Sequence, residues 1–325
     1  MEQTSKILKN GIMKAWRIHE FGGYEAMRLE VVDIPVPEKG EVLIKVHTAA
    51  INHYDWYMSD GLLEAAGLKI TLPAIFGRDG AGEVVALGEG VTEFKIGDEV
   101  YGQADPESDG TFAEYAILRA DRLMRKPETL SFIESAAIPN SIYAAWDALF
   151  SETTGIDLKA GDTVLVLGAG GGIGTMTVQL AKWVGAKVIA VASAGQESLL
   201  RELGADEFID YKTQRFEDIV GKRVDVVIDN ICKEPEEKSY SVLIDGGMYI
   251  TMPKPPNFEA AIAAGVKAVF CNGPAAHKET AKIESVVKKG IIRPTVSEVI
   301  GMLDVPDGIK RFRSGGTLGK IVVSI

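Results

Sequence analysis

Leu167-Gly168-Ala169-Gly170-Gly171-Gly172-Ile173-Gly174 decides how this chain folds. It follows the apolar run Thr163-Val164-Leu165-Val166-Leu167 and precedes a helical segment at 175–184. A buried strand that turns on glycines into a helix is the local context of a dinucleotide site. Backbone approaches a pyrophosphate closely only where side chains are missing, and the first N–H groups of the helix then face the anion. As a six-residue fingerprint the match is Ala169-x-Gly171-x-x-Gly174, with alanine in the first glycine's place. A tight turn with no ligand is the competing reading, but clustered glycines cost backbone entropy and need a purpose.

The alternation of strand and helix continues downstream. Lys187-Val188-Ile189-Ala190-Val191-Ala192 reads as a second buried strand and 197–203 as a short helix. Val224-Asp225-Val226-Val227-Ile228-Asp229 and Met248-Tyr249-Ile250-Thr251-Met252 read as further strands. Continuous apolar strands separated by helices make a parallel sheet covered on both faces, and ligands bind beyond the carboxyl ends of its strands. The expected cofactor contacts are therefore Gly170, Gly171, Gly172, Ile173 and Gly174 in the turn. Asn230 joins them after the strand at 224–229, as do Thr251, Met252, Pro253 and Asn272 after later strands.

The end of the second strand bears on which dinucleotide binds. Sites for NAD place Asp or Glu about 20 residues beyond the glycines, to bond the ribose 2′-hydroxyl. Here Val191-Ala192-Ser193-Ala194-Gly195-Gln196 contains no acid. Ser193 can bond a 2′-phosphate without a carboxylate to repel it, so NADP(H) is the expected cofactor. No Arg or Lys lies in this turn; Lys212 and Arg215 are the basic residues of the next loop.

Upstream of about Ser135 the pattern is different. Val42, Ile44 and Val46 alternate with Leu43, Lys45 and His47, and Gly80-Ala81-Gly82, Gly88-Glu89-Gly90 and Gly97-Asp98 punctuate short strands. That density of turns suggests a curved or barrel-like β domain. Gly315-Gly316-Thr317-Leu318-Gly319-Lys320 and the run that follows return to the same character. A length of 325 residues suits about two domains. A net charge of −11 argues against a general phosphate-backbone binder, and no apolar run approaches the roughly 20 residues of a membrane span. Two cysteines, Cys232 and Cys271, build neither a disulfide framework nor a four-thiolate metal site. Lys6 and Lys9 are followed by no apolar segment of a secretory signal, so residues 1–12 read as a loose extension and the expected location is cytoplasmic.

Taken together these motifs resemble the medium-chain dehydrogenases/reductases, in particular their zinc-independent quinone oxidoreductase branch. The marks are Asn52-His53-Tyr54-Asp55, Gly77-Arg78-Asp79-Gly80-Ala81-Gly82, Gly110-Thr111-Phe112-Ala113-Glu114-Tyr115, the glycine turn, Leu203-Gly204-Ala205-Asp206 and Gly319-Lys320-Ile321-Val322. The resemblance implies an α/β chain: a GroES-like β-barrel catalytic domain at 1–137 and 283–325, with a Rossmann cofactor domain inserted at 138–282. It also implies a cleft between the domains and a homodimer joined through Rossmann sheet edges. The zinc-dependent branch needs a Cys where Asn52 to Asp55 stand and Gly-His-Glu where Gly77-Arg78-Asp79 stand. With only His19, His47, His53 and His277 and no paired spacing, the expectation is no metal.

Without a Lewis acid, hydride chemistry suits acceptors that spread incoming charge into a conjugated oxygen. The expected activity is NADPH-dependent reduction of a quinone or an α,β-unsaturated carbonyl, a small-molecule substrate. The alternatives are a non-catalytic NADPH-binding or interaction protein on the same fold, or an alcohol or aldehyde reductase. Candidate hydrogen-bond donors are Asn52, Tyr54 and Tyr57. By resemblance Tyr57 matches a tyrosine that touches the cofactor, Asn52 an asparagine lining the cleft, and Tyr211 a position near the adenosine 2′-phosphate. Asp55 is expected to order its turn through backbone amides. Arg78 and Asp79 are read as structural, pairing with each other or with Asp55, and Lys320 as a solvated lysine.

Overall fold

The computed structural model describes residues 11–152, 154–271 and 275–325. Residues 1–10 and Asn272 therefore lie outside the described residues. The chain begins with eight strands: β1 (Ile12–Ile18), β2 (Arg28–Asp33), β3 (Glu41–Ala50), β4 (Ala74–Ile75), β5 (Asp79–Leu87), β6 (Glu99–Gln103), β7 (Tyr115–Arg119) and β8 (Leu123–Arg125). Six more alternate with helices: β9 (Thr163–Leu167), β10 (Lys187–Ala192), β11 (Glu207–Asp210), β12 (Val224–Asp229), β13 (Leu243–Thr251) and β14 (Lys267–Phe270). β15 (Val296–Gly301) and β16 (Lys320–Ser324) end the chain. The helices that matter below are α1 (His53–Ser59), α2 (Pro139–Phe150), α3 (Gly172–Trp183) and α4 (Phe258–Ala263).

These elements form two compact units, one from residues up to Asn140 with 280–284 and 295–325, the other from 141–279 with 285–294. The expected boundary at 137/138 moves into α2, and 285–294 go with the second unit rather than the first. A helix started by Pro139 carries no internal signal of where the chain changes unit, so composition marks the start of the helix instead.

The first unit is antiparallel in the main. Its larger sheet runs β15-β16-β3-β5-β6-β8, with β7 also paired to β3, and a smaller sheet runs β2-β1-β4. The C-terminal strand enters this sheet beside β3, pairing Val322 with Ala50 and Ser324 with Thr48. Val42, Ile44, Val46, Val84, Val100, Leu118 and Leu123 gather on the inner face in one buried cluster. Glycines let the strands curve this tightly. A Cβ on Gly82 would lie 2.0 Å from the Lys45 carbonyl oxygen, and one on Gly88 would lie 1.6 Å from that of Glu38.

The second unit is a wholly parallel sheet in the order β11-β10-β9-β12-β13-β14. Every residue of β9 is buried, as the unbroken apolar run requires of a strand covered on both faces. The strand order reverses between β9 and β12, where Leu167 pairs with Asp229. That reversal is the topological switch point at which open α/β sheets bind ligands. Among the described residues no helix is long and apolar enough to cross a membrane.

Gly88→Ala should cost the first unit roughly 3–5 kcal/mol or prevent its folding, because backbone oxygen cannot yield to a methyl group. Gly90→Ala meets open space at φ 82° and should cost only about 1 kcal/mol. Urea titration of the two variants checks the order; equal losses would contradict it.

Candidate active site

The glycine turn stands at the carboxyl end of β9. Gly168 takes φ 72°, and Gly168 and Ala169 both donate to the Val191 carbonyl (3.1 Å each), which ties the turn to β10. α3 starts at once, with Thr175 N–H donating to Gly171 O at 2.9 Å as its first turn closes. The N–H groups of Gly172, Ile173 and Gly174 have no partner inside the helix, and its first turn holds no acid to cancel its positive end. The glycines have separable tasks. A Cβ at Gly174 would lie 2.3 Å from Gly168 O, so this residue lets the helix close on the turn. At Gly171 the nearest heavy atom to a Cβ would be 3.5 Å away. The protein itself does not crowd that position, so its bareness leaves a cradle for a ligand. Bare backbone beside the free amides of a helix start is the chemistry that would suit a pyrophosphate.

At the end of β10 Ser193 is half-buried and its hydroxyl has no hydrogen bond to the described residues. Gln196 lies over the turn: a Cβ on Gly170 would meet its Oε1 at 2.2 Å. Tyr211 is exposed on the neighbouring loop, with its N–H on the Ala192 carbonyl. Of the two basic residues there, Arg215 is committed to Glu217 (2.9 Å) and Asp218 (3.5 Å). Lys212 is exposed and makes no ion pair among the described residues.

Asn230 joins the ends of β9 and β12 by donating from Nδ2 to Leu167 O at 3.0 Å, while its Oδ1 is buried without a partner. Thr251 departs from the expectation. It is fully buried, its hydroxyl donates to Lys254 O at 3.0 Å, and its carbonyl accepts Cys271 N–H at 2.9 Å. Strand pairing and its own turn consume it, so it offers no free group to a ligand. Met252 is half-buried with its N–H on Asp229 O, and Pro253 is exposed.

The first unit holds a buried ionic network around the N-terminus of α1. Lys320 Nζ donates to Asn52 Oδ1 and stands 3.5 Å from Asp79 Oδ2. Asn52 Nδ2 donates to that same carboxylate oxygen (3.1 Å) and to Ala50 O (3.0 Å). The other oxygen of Asp79 accepts Asn140 N–H at 3.0 Å. Asp55 Oδ2 accepts Asn52 N–H at 2.7 Å, ordering the turn through backbone as its sequence position suggests. Two expectations change here. Lys320 is 3% exposed rather than solvated, because Asp79 and Asn52 replace its water. Asn52, 2% exposed, has both ends of its amide spent within the protein and is no free donor to substrate.

Tyr54 donates to Pro106 O at 2.5 Å beneath the Arg78 guanidinium, which lies 4.6 Å from its ring centre, and burial pushes the phenol up to about 12. Arg78 reaches Gln103 at 3.4 Å rather than Asp79, and Gln103 passes the link to Asn140 at 3.0 Å. Tyr57 is half-buried, edge-on to Trp56 with ring centres 4.1 Å apart. The donors at this place do not suit zinc. Amide, guanidinium and ammonium groups stand where thiolate and imidazole would be needed, and both cysteines belong to the second unit.

Two family models match the chain. Residues 38–128 match the alcohol dehydrogenase GroES-like domain and residues 203–323 the family described as zinc-binding dehydrogenase. A 2-methylene-furan-3-one reductase of Solanum lycopersicum is 35% identical, over 99% of this chain and 81% of its own. A chloroplastic NADPH-dependent alkenal/one oxidoreductase of Arabidopsis thaliana is 34% identical, over 96% and 79%. The solved quinone oxidoreductase of Coxiella burnetii superposes with a TM-score of 0.84 at 29% identity, over 97% of this chain and 99% of that one. The chain belongs to the medium-chain dehydrogenases/reductases, in the quinone oxidoreductase branch. It is an oxidoreductase that works with a nicotinamide cofactor. When bound, that cofactor supplies the hydride; in this family member Gly171, the free N–H groups of α3 and Asn230 Oδ1 are the groups that would hold it.

Asp55 gives the network a pH dependence. Burial raises its carboxyl from 3.8 to about 7 against the pull of the Asn52 amide and of Lys320 and Arg78, with Asp79 adding to the rise. Between those values the folded protein keeps a proton that the unfolded chain releases. Stability should therefore fall as pH rises from about 4 to about 7, by at most roughly 1.4 kcal/mol per pH unit, and level off above. Asp55→Asn cannot ionise and should lose that slope. Denaturant titrations at pH 5 and pH 8 should favour the variant more at pH 8; the same difference at both would overturn the assignment.

Proposed function

We propose that this chain reduces quinones or α,β-unsaturated carbonyls with NADPH and without a metal ion. The observation that carries the cofactor choice is the unpartnered Ser193 hydroxyl at the end of β10, with no acid in residues 191–196 and the unpaired Lys212 on the next loop. A 2′-phosphate needs a donor and a cation, and a carboxylate at this place would repel it. The names of the tomato and Arabidopsis relatives support the acceptor class. Reduction of such an acceptor leaves negative charge on a conjugated oxygen, which a hydrogen-bond donor stabilises as it develops. Tyr54 spends its hydroxyl on Pro106, and Asn52 is saturated. The donor we propose is Tyr57, on the ground that by resemblance it matches a tyrosine that touches the cofactor.

We also propose a homodimer joined at β14. This strand is the edge of its sheet among the described residues, and α4 beside it exposes Phe258 (51%) and Ile262 (77%). Apolar side chains at a sheet edge suit a second copy of the same surface.

NADPH oxidation over a panel of quinones and enones should exceed NADH oxidation at least ~10-fold in kcat/KM, and Lys212→Glu should erase most of that preference. Tyr57→Phe should lower kcat by roughly 10- to 100-fold with little change in cofactor affinity. No turnover with any acceptor would sink the proposal, and equal use of NADH would sink its cofactor part. Light scattering should give twice the chain mass, and Ile262→Asp the single mass.

A further inference from the structure

Asp229 ends β12 at the switch point, is 2% exposed, and has no ion-pair partner among the described residues. Its oxygens are nevertheless fully assigned. Oδ1 accepts the N–H groups of Ile231 and Cys232, both at 2.8 Å. Oδ2 accepts the Tyr249 hydroxyl at 2.8 Å from β13, the next strand of the sheet. Tyr249 is itself fully buried and edge-on to Tyr240, with ring centres 5.3 Å apart. The carboxylate thus draws two successive amides back over the strand end. The turn this makes is tight enough to put Cys232 at φ 51°, the one left-handed non-glycine residue among those described. Such a conformation persists only where its surroundings hold it.

The turn sets two neighbours. The Ile231 side chain lies over the glycine turn, 2.7 Å from where a Cβ of Gly168 would be. Asn230 is held with Nδ2 on Leu167 O and with Oδ1 as a buried acceptor lacking any partner. A buried acceptor left open is costly unless something completes it. At the carboxyl ends of β9 and β12 that completion is a donor of the nicotinamide half of the cofactor: a ribose hydroxyl or the carboxamide N–H.

We propose that Asp229 and Tyr249 are positioning residues for the nicotinamide cofactor, bending residues 230–232 so that Asn230 presents its Oδ1 and Ile231 braces the glycine turn. The proposal rests on the reading that a nicotinamide cofactor binds at this turn. Neither residue touches the cofactor; both act through the loop.

The test is cofactor affinity, measured by calorimetry with NADPH on the purified full chain, beside steady-state kinetics. Asp229→Ala should raise the NADPH Kd and KM at least ~10-fold with the acceptor KM unchanged. Asp229→Asn, whose Oδ1 still accepts both amides, should stay within ~3-fold. Asn230→Ala should match Asp229→Ala, and the two together should lose little more than either, since they act in one chain of contacts. Adding Cys232→Gly to Asp229→Ala should recover a good part of the affinity, because glycine takes the left-handed turn unaided. Folded Asp229→Ala with wild-type NADPH affinity would overturn the proposal, as would additive losses. If Asp229→Ala does not fold, Asn230→Ala with unchanged affinity overturns it equally. Failure of the unmodified protein to bind any nicotinamide cofactor would instead overturn the underlying reading.

Discussion

A buried ammonium has to be answered, and the way Lys320 is answered organises the first unit. Its Nζ comes from the last strand of the chain, β16, while its partners come from the start of α1 and the start of β5. Burial alone depresses the lysine and raises Asp79; each holds the other's charge in place. Buried pairs of this kind add little net stability compared with apolar residues of the same volume, yet losing one partner leaves a stranded charge at a cost of about 3–5 kcal/mol. The network ties the start of β16 to the start of β5 and to the segment that carries Tyr54 and Tyr57. It also has a second tier, because Asp79 holds Asn140 and Arg78 reaches the same residue through Gln103.

The second unit meets a different constraint. A parallel sheet satisfies its backbone internally and leaves free groups only at strand and helix ends. Its unpartnered polar groups collect there: the first amides of α3, the Ser193 hydroxyl and Asn230 Oδ1. Groups that would otherwise compete for a ligand are taken out of play by the protein. Thr251 is consumed by its own turn, and Arg215 by Glu217 and Asp218. At these strand and helix ends, among the described residues, the open groups are a short series of donors and the Asn230 Oδ1 acceptor.

Much of this was legible in the chain. Period and punctuation identify the parallel strands, since a strand covered on both faces has to be apolar throughout, as β9 is. The glycine turn was legible because close backbone approach excludes every other side chain. The rest was hidden for a physical reason. Lys320 reads as solvated because lysine usually is, and nothing local says that Asp79, far away in the sequence, will cover it. Asp229 and Tyr249 look like polar interruptions of apolar strands until the sheet sets them side by side.

Sequence alone determined the two kinds of architecture and the family, and marked the glycine turn, because these follow from local periodicity and from residue types at fixed spacing. Tertiary structure alone decided which polar residues are spent and which are open. Asn52 and Thr251 turned out to be consumed, Asn230 Oδ1 and Ser193 open, and Asp229 the holder of a loop. Availability of a hydrogen-bonding group depends on what faces it in space, and distant segments meet only when the chain folds.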